Sequence, residues 1–263
     1  MYSRRYMDIA SDSLKNPVVV LGMPGIANVG TIAVRTLVKI LDAKPVLDFF
    51  SEDFPPRIIV RKGITHFPKS TIHLYRAAPD EPHDILVVTA DFQPSSAAGV
   101  FEYAEFLAQE FSALNVSSLY ALAAYEVSYE SFFDAYPSPP RVYVSAGSEK
   151  TLRQLEMISG TIVSEESVIN GANGFIPAWV SSMYDMEGAC LLGETMSVIK
   201  RDFRASKKLL EIFAELVKVK LDLELLEADV QKVKEFIEWA KSEISERIPQ
   251  KESDESPPDR YIG

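Results

Sequence analysis

Cysteine is nearly absent from this 263-residue sequence. The single Cys190 excludes an intramolecular disulfide and a thiolate metal cluster. Histidine is scarce as well: His66, His73 and His83 show no ligand-like spacing. No predominantly apolar run reaches the roughly 20 residues that span a bilayer. Met1 to Ala10 carries two arginines with no apolar stretch behind them, which is not the pattern of a secretory signal. Positive charge is also in deficit, 27 Lys and Arg against 38 Asp and Glu, for a net charge of −11. That balance argues against nucleic acid or an anionic membrane as the main partner. The expected compartment is the cytoplasm.

What is present is an ordinary globular composition, 47% hydrophobic and 25% charged, in a chain long enough for a sizeable core. Pro17 to Leu21 is a short β-branched run stopping at Gly22, as expected of a strand covered on both faces. Helical spacing follows through Val29, Ile32, Ala33, Leu37, Ile40 and Leu41, with Asn28 in the N-cap position. Val46 to Phe50 reads as the next strand, and such a unit favours parallel pairing. Arg57 to Arg61 and Thr71 to Tyr75 read as a hairpin or meander about Lys62-Gly63 and Pro68. Asp84 to Ala90 reads as a buried strand, followed by a helix from Ser95 or Ser96 to Phe111. Leu119 to Ala124 and Val142 to Ser145 complete the sheet, with an aromatic, Pro-rich loop from Tyr125 to Pro140 between them. The alternation places residues 1–200 in an α/β core domain.

Farther on, a helix is expected from Pro177 to Met186 and a short strand from Ala189 to Leu192. Residues 201–248 read as a helical pair packed on the core or on a neighbouring subunit. In its second helix Leu223, Leu226, Val230, Val233, Ile237, Ala240 and Ile244 form a heptad-like seam. Such a seam serves either a neighbouring element of the same chain or another subunit. Phe236 and Trp239 lie off it, in the position of a second contact surface. Residues 249–263 are polar and Pro-rich, an expected disordered tail in which Tyr261 and Ile262 are either an accidental apolar pair or a docking element for a partner's pocket.

Gly22-Met23-Pro24-Gly25-Ile26-Ala27-Asn28-Val29-Gly30 is the conspicuous loop. Glycines between strand and helix let backbone N–H groups approach an anion. The Walker spacing aligns Gly25 and Gly30, but Thr31 replaces the lysine, and the dinucleotide spacing is broken by Met23-Pro24. A tight turn packing helix on sheet is the favoured reading. A ligand crevice, if present, would gather Gly25, Asn28, Asp91 and Asn173, since open α/β sheets place ligands at the carboxyl ends of strands. No base, nucleophile or metal partner accompanies Asp91, and Glu126, Glu130 and Asp134 read as a solvated acidic group. Catalysis finds no support, and no catalytic residue, metal or cofactor is expected.

The glycine loop with Phe49 to Pro56, the later Asn170-Gly171-Ala172-Asn173-Gly174-Phe175 loop, and Asp202-x-x-Ala205 before a Lys-Leu-Leu helix together resemble the PAC2 family of proteasome assembly chaperones. The resemblance spans Pro17 to Ile248. It implies a three-layer α/β/α fold with a nucleoside-phosphorylase-like sheet and a C-terminal helical hairpin. It also implies an archaeal-type, non-enzymatic homo-oligomer whose partners are its own copies, proteasome α-subunits or another assembly chaperone. The alternative is a nucleoside-like small-molecule site at the glycine loops. Proteasome-binding tails in this family end in hydrophobic–Tyr–any residue, whereas here Tyr261 is third from the end and follows Arg260.

Overall fold

The computed structural model describes residues 1–165 and 167–247. In chain order the elements are β1 (Tyr2–Arg5), β2 (Val18–Gly22), α1 (Val29–Ile40), β3 (Lys44–Phe50), β4 (Ile59–Arg61) and β5 (Ile64–His66). Next come β6 (Ser70–Tyr75), β7 (Ile85–Ala90), α2 (Ala97–Ala113), β8 (Ser118–Glu126), α3 (Tyr129–Ala135) and β9 (Val142–Ala146). The remainder are α4 (Glu149–Glu156), β10 (Thr161–Val163), α5 (Ala172–Met183), β11 (Glu187–Thr195), α6 (Phe203–Val217) and α7 (Glu227–Arg247).

A strand whose every residue is apolar can be stable only if both faces are covered, and β2 shows the consequence. Val19 and Leu21 point into one apolar cluster, and Val18 and Val20 into the other. Strand β7 divides the same way, with Leu86 and Val88 on one side and Ile85 and Val87 on the other. Helices α2 and α5 cover the first face, and α1 and α6 the second. The result is an α/β sandwich of three layers. Each buried Val or Leu in it contributes about 1.5–3 kcal/mol.

The main sheet has nine strands in the order β1-β3-β6-β7-β2-β8-β11-β9-β10. Its centre, β7-β2-β8-β11, is parallel. Strands β1, β3 and β6 extend it by antiparallel pairing, and β9 is antiparallel to β11. The expected direct parallel pairing of the first two core strands does not form. Strand β3 runs in the direction of β2, but β6 and β7 stand between them.

Other expectations also change. Arg57–Arg61 does not pair with Thr71–Tyr75; β4 pairs with β5 in a separate ribbon, and β6 enters the main sheet. Lys62 and Gly63 both have positive φ, 50° and 79°, the geometry of a two-residue hairpin turn that matches strand twist. Helix α5 begins at Ala172, not Pro177, so the proline sits inside it. Lacking an N–H, Pro177 leaves the Asn173 carbonyl free, and the Cys190 thiol donates to that oxygen at 3.2 Å. The Tyr125–Pro140 segment contains the end of β8 and the short α3. Ser128 caps α3 by accepting from Ser131 N, and its Phe132 packs on Met196, Ile199, Val233 and Ile237. The seam residues Leu226, Val230, Val233 and Ile237 are buried within this chain.

Candidate functional site

The glycine loop is built for close packing. A Cβ at Gly30 would stand 2.1 Å from the Leu122 carbonyl oxygen, and one at Gly22 2.3 Å from the Gly30 oxygen. Only glycine allows α1 to sit this close to β8 and β2. Between the two glycines the chain passes through Ala27 and Asn28 at φ 50° and 52°. Asn28 therefore does not cap α1 with its side chain; its amide donates to the Lys200 carbonyl at 3.1 Å.

The second glycine loop is tied to the first by two side-chain amides. Asn173, buried at the start of α5, accepts from Met23 N at 2.8 Å. Gln93 donates to the Pro24 carbonyl and accepts from Ala172 N at 2.9 Å. These bonds fix the mouth of a crevice of about 510 Å³ at the carboxyl ends of β2, β8 and β11. Gly25 and Asn173 line it together with Gln93, Tyr125, Glu126 and Asn170. The Tyr125 ring stacks on Tyr143 with centroids 3.9 Å apart. Burial pushes the Tyr143 phenol above its ordinary pKa, so the ring behind Tyr125 is neutral near pH 7.

Of the four expected crevice residues, the structure gathers these two and separates the others. Asp91 accepts from Arg35 at 3.2 Å, Arg61 at 3.4 Å and Lys69 N at 3.2 Å, outside the crevice walls. Asn28 lines a second depression, of about 590 Å³, with Thr31, Arg35, Lys39 and Arg201. The acidic group dissolves too: Glu126 closes β8 at the crevice, whereas Glu130 and Asp134 lie on α3. Cys190 is fully buried, and burial pushes its thiol up to about 12, which makes it unreactive. Among the described residues no group of three His, Cys, Asp or Glu side chains could hold a metal ion. No helix among them is long and apolar enough to cross a membrane.

On α7, Phe236 and Trp239 are 38% and 57% exposed with rings 5.9 Å apart, leaving apolar surface uncovered. Phe236 also forms one wall of a groove of about 350 Å³ with Val198, Ile199, Phe203 and Val233. Tyr261 and Ile262 lie outside the described residues. Sequence reasoning missed a further apolar surface on the β4–β5 ribbon, where Val60, Ile64 and Phe67 are each more than 60% exposed. The Lys62-Gly63 turn is the available signal, and it places the ribbon's second strand at Ile64–His66.

Known proteins share this architecture. The uncharacterized protein MJ1210 of Methanocaldococcus jannaschii is 27% identical over 266 residues, covering 99% of this chain and 97% of that one. PbaB of Pyrococcus furiosus, an archaeal proteasome activator, superposes with a TM-score of 0.81 at 23% identity, over 91% of this chain and 98% of its own. PbaA of the same organism, an archaeal homolog of proteasome-assembly chaperone, gives 0.70 at 21% identity over 93% of each chain. These two likenesses establish a shared fold. The model of the PAC2 family matches residues 19–240, the three glycine and aspartate motifs included, and the chain belongs to that family.

Proposed function

We propose that this chain is a non-enzymatic, homo-oligomeric scaffold that binds proteasome subunits, as an assembly chaperone or a proteasome-binding factor of the cytoplasm. The observation that carries the reading is the match to PbaB over nearly the full length of both chains, beside a fold shared with PbaA, an archaeal homolog of proteasome-assembly chaperone. The chemistry of the loops is consistent with it. The glycine motifs serve helix–sheet contact and mutual hydrogen bonds. Exposed apolar side chains on α7 and on the β4–β5 ribbon offer surface to a partner.

Surfaces of this kind act by burial against a partner, with aromatic side chains as the usual anchors. Phe236 and Trp239 are the assigned anchors on α7, and Tyr261 with Ile262 the assigned docking pair of the tail. Light scattering of the purified chain, alone and mixed with proteasome α-subunits, tests the proposal. A multimer that forms a defined complex with α-subunits is expected. If neither the full chain nor a version ending at residue 247 associates with α-subunits at micromolar concentration, the scaffold reading is wrong.

A further inference from the structure

We propose that the crevice at the carboxyl ends of β2, β8 and β11 binds a small organic cation, an amine or a guanidine, on the Glu126 carboxylate and the Tyr125 ring. The position is that of a ligand site in an open α/β sheet, where loops after parallel strands diverge and leave a cleft. Its volume, about 510 Å³, is in the range of small-molecule sites.

The charge of the lining selects the ligand class. Among the thirteen described residues that form the walls, Glu126 is the one charged side chain, and none is Lys, Arg or His. A phosphate or carboxylate ligand would meet a like charge with no counter-charge to offset the loss of water. An ammonium or guanidinium meets the opposite sign. No described residue bonds the Glu126 carboxylate, so its acceptor oxygens are available to a charge-assisted bond. Arg141, which lies over Tyr143 at 5.8 Å, does not compete for it, because Glu194 holds its guanidinium at 2.6 and 2.8 Å.

The aromatic wall acts in the same direction. The face of a tyrosine ring is electronegative and attracts cations. Tyr125 is held in place by its stack on Tyr143. The amides of Gln93 and Asn173 are already committed to the Pro24, Ala172 and Met23 backbone, so they rigidify the cleft. Asn170, exposed at the rim, remains as a neutral polar contact.

Isothermal titration of the full chain with agmatine, spermidine and choline, against adenosine monophosphate and glutamate at equal concentrations, tests this inference. At least one amine is expected to bind one per chain, and the two anions are expected not to bind. Glu126→Gln should weaken amine binding about tenfold or more without moving the melting temperature, since its carboxylate bonds no described residue; tenfold is about 1.4 kcal/mol. Should that variant melt early, Asn170→Asp supplies a gain of charge and should strengthen the amine. No amine binding, preferential binding of adenosine monophosphate, or an affinity unchanged in both variants would each overturn the proposal. Binding of proteasome α-subunits is a separate measurement, and neither result bears on the other.

Discussion

Removing the Asp202 carboxylate should cost more than removing the arginine it pairs with, and the difference follows from how each is bonded. Asp202 is fully buried at the N-cap of α6. One oxygen accepts from the backbone N–H groups of Arg204 at 3.0 Å and Ala205 at 3.1 Å. The other accepts from Thr195 Oγ1 at 2.8 Å and the Arg204 guanidinium at 2.9 Å. Asp202→Ala removes a helix cap, worth about 1 kcal/mol. It also leaves Arg204, itself 7% exposed, as a buried cation without its carboxylate, a loss of about 3–5 kcal/mol. The sum is near 4 kcal/mol once partial rescue by water is allowed, or a fall in Tm of roughly 8–16 °C for a chain of this size. Arg204→Met behaves differently. Asp202 keeps three donors, and a guanidinium whose Nε finds no partner among the described residues is exchanged for apolar volume against Phe132 and Tyr136. The cost is the lost cation–π contact and one charged hydrogen bond, about 1–2 kcal/mol. Urea denaturation at fixed protein concentration, followed by far-UV circular dichroism and tryptophan fluorescence, reads both values if the slope stays constant. An Arg204→Met loss equal to or greater than that of Asp202→Ala would refute the assigned asymmetry.

Three further outcomes are expected. Gly30→Ala places a Cβ against the Leu122 carbonyl oxygen and should cost about 1–3 kcal/mol or more in the same denaturation assay, whereas a neutral effect would mean that α1 can back away from β8. His73 on β6 has its pKa lowered, first by burial, so it stays neutral in the folded chain while the unfolded imidazole takes a proton near pH 6.5. Its share of stability is therefore present above about pH 6.5 and declines as the pH falls below it; the denaturation midpoint of His73→Gln should show a shallower acid slope than the parent. Trp239→Ser together with Phe236→Ser should change stability by less than about 1 kcal/mol, since both side chains are substantially exposed, yet should abolish complex formation with α-subunits measured by light scattering.

The sheet was largely legible because burial on two faces leaves a mark within a few residues. The all-apolar runs in β2 and β7, and the three- and four-residue spacing in α1 and α2, each record a local environment. Pairing order leaves no such mark. The Arg57–Arg61 strand reads the same whether its partner is five or fifteen residues away, and the choice of β5 rests on two positive φ angles at Lys62 and Gly63. The start of α5 is hidden because a proline such as Pro177 usually marks a first turn, and the Asn173 carbonyl it releases is satisfied by Cys190, seventeen residues later in the chain. The crevice is the extreme case. Its closing bond, Met23 N to Asn173 Oδ1, joins residues 150 positions apart. Gln93 carried no signal at all, because an amide that bridges two backbones is indistinguishable in sequence from one facing water. Asp91, the more conspicuous residue nearby, was instead drawn to Arg35 and Arg61. A carboxylate attracts whatever cations the fold brings near it, so its place at a strand end predicted a partner but not a ligand. Glu126 differs because, among the described residues, the fold brings it none.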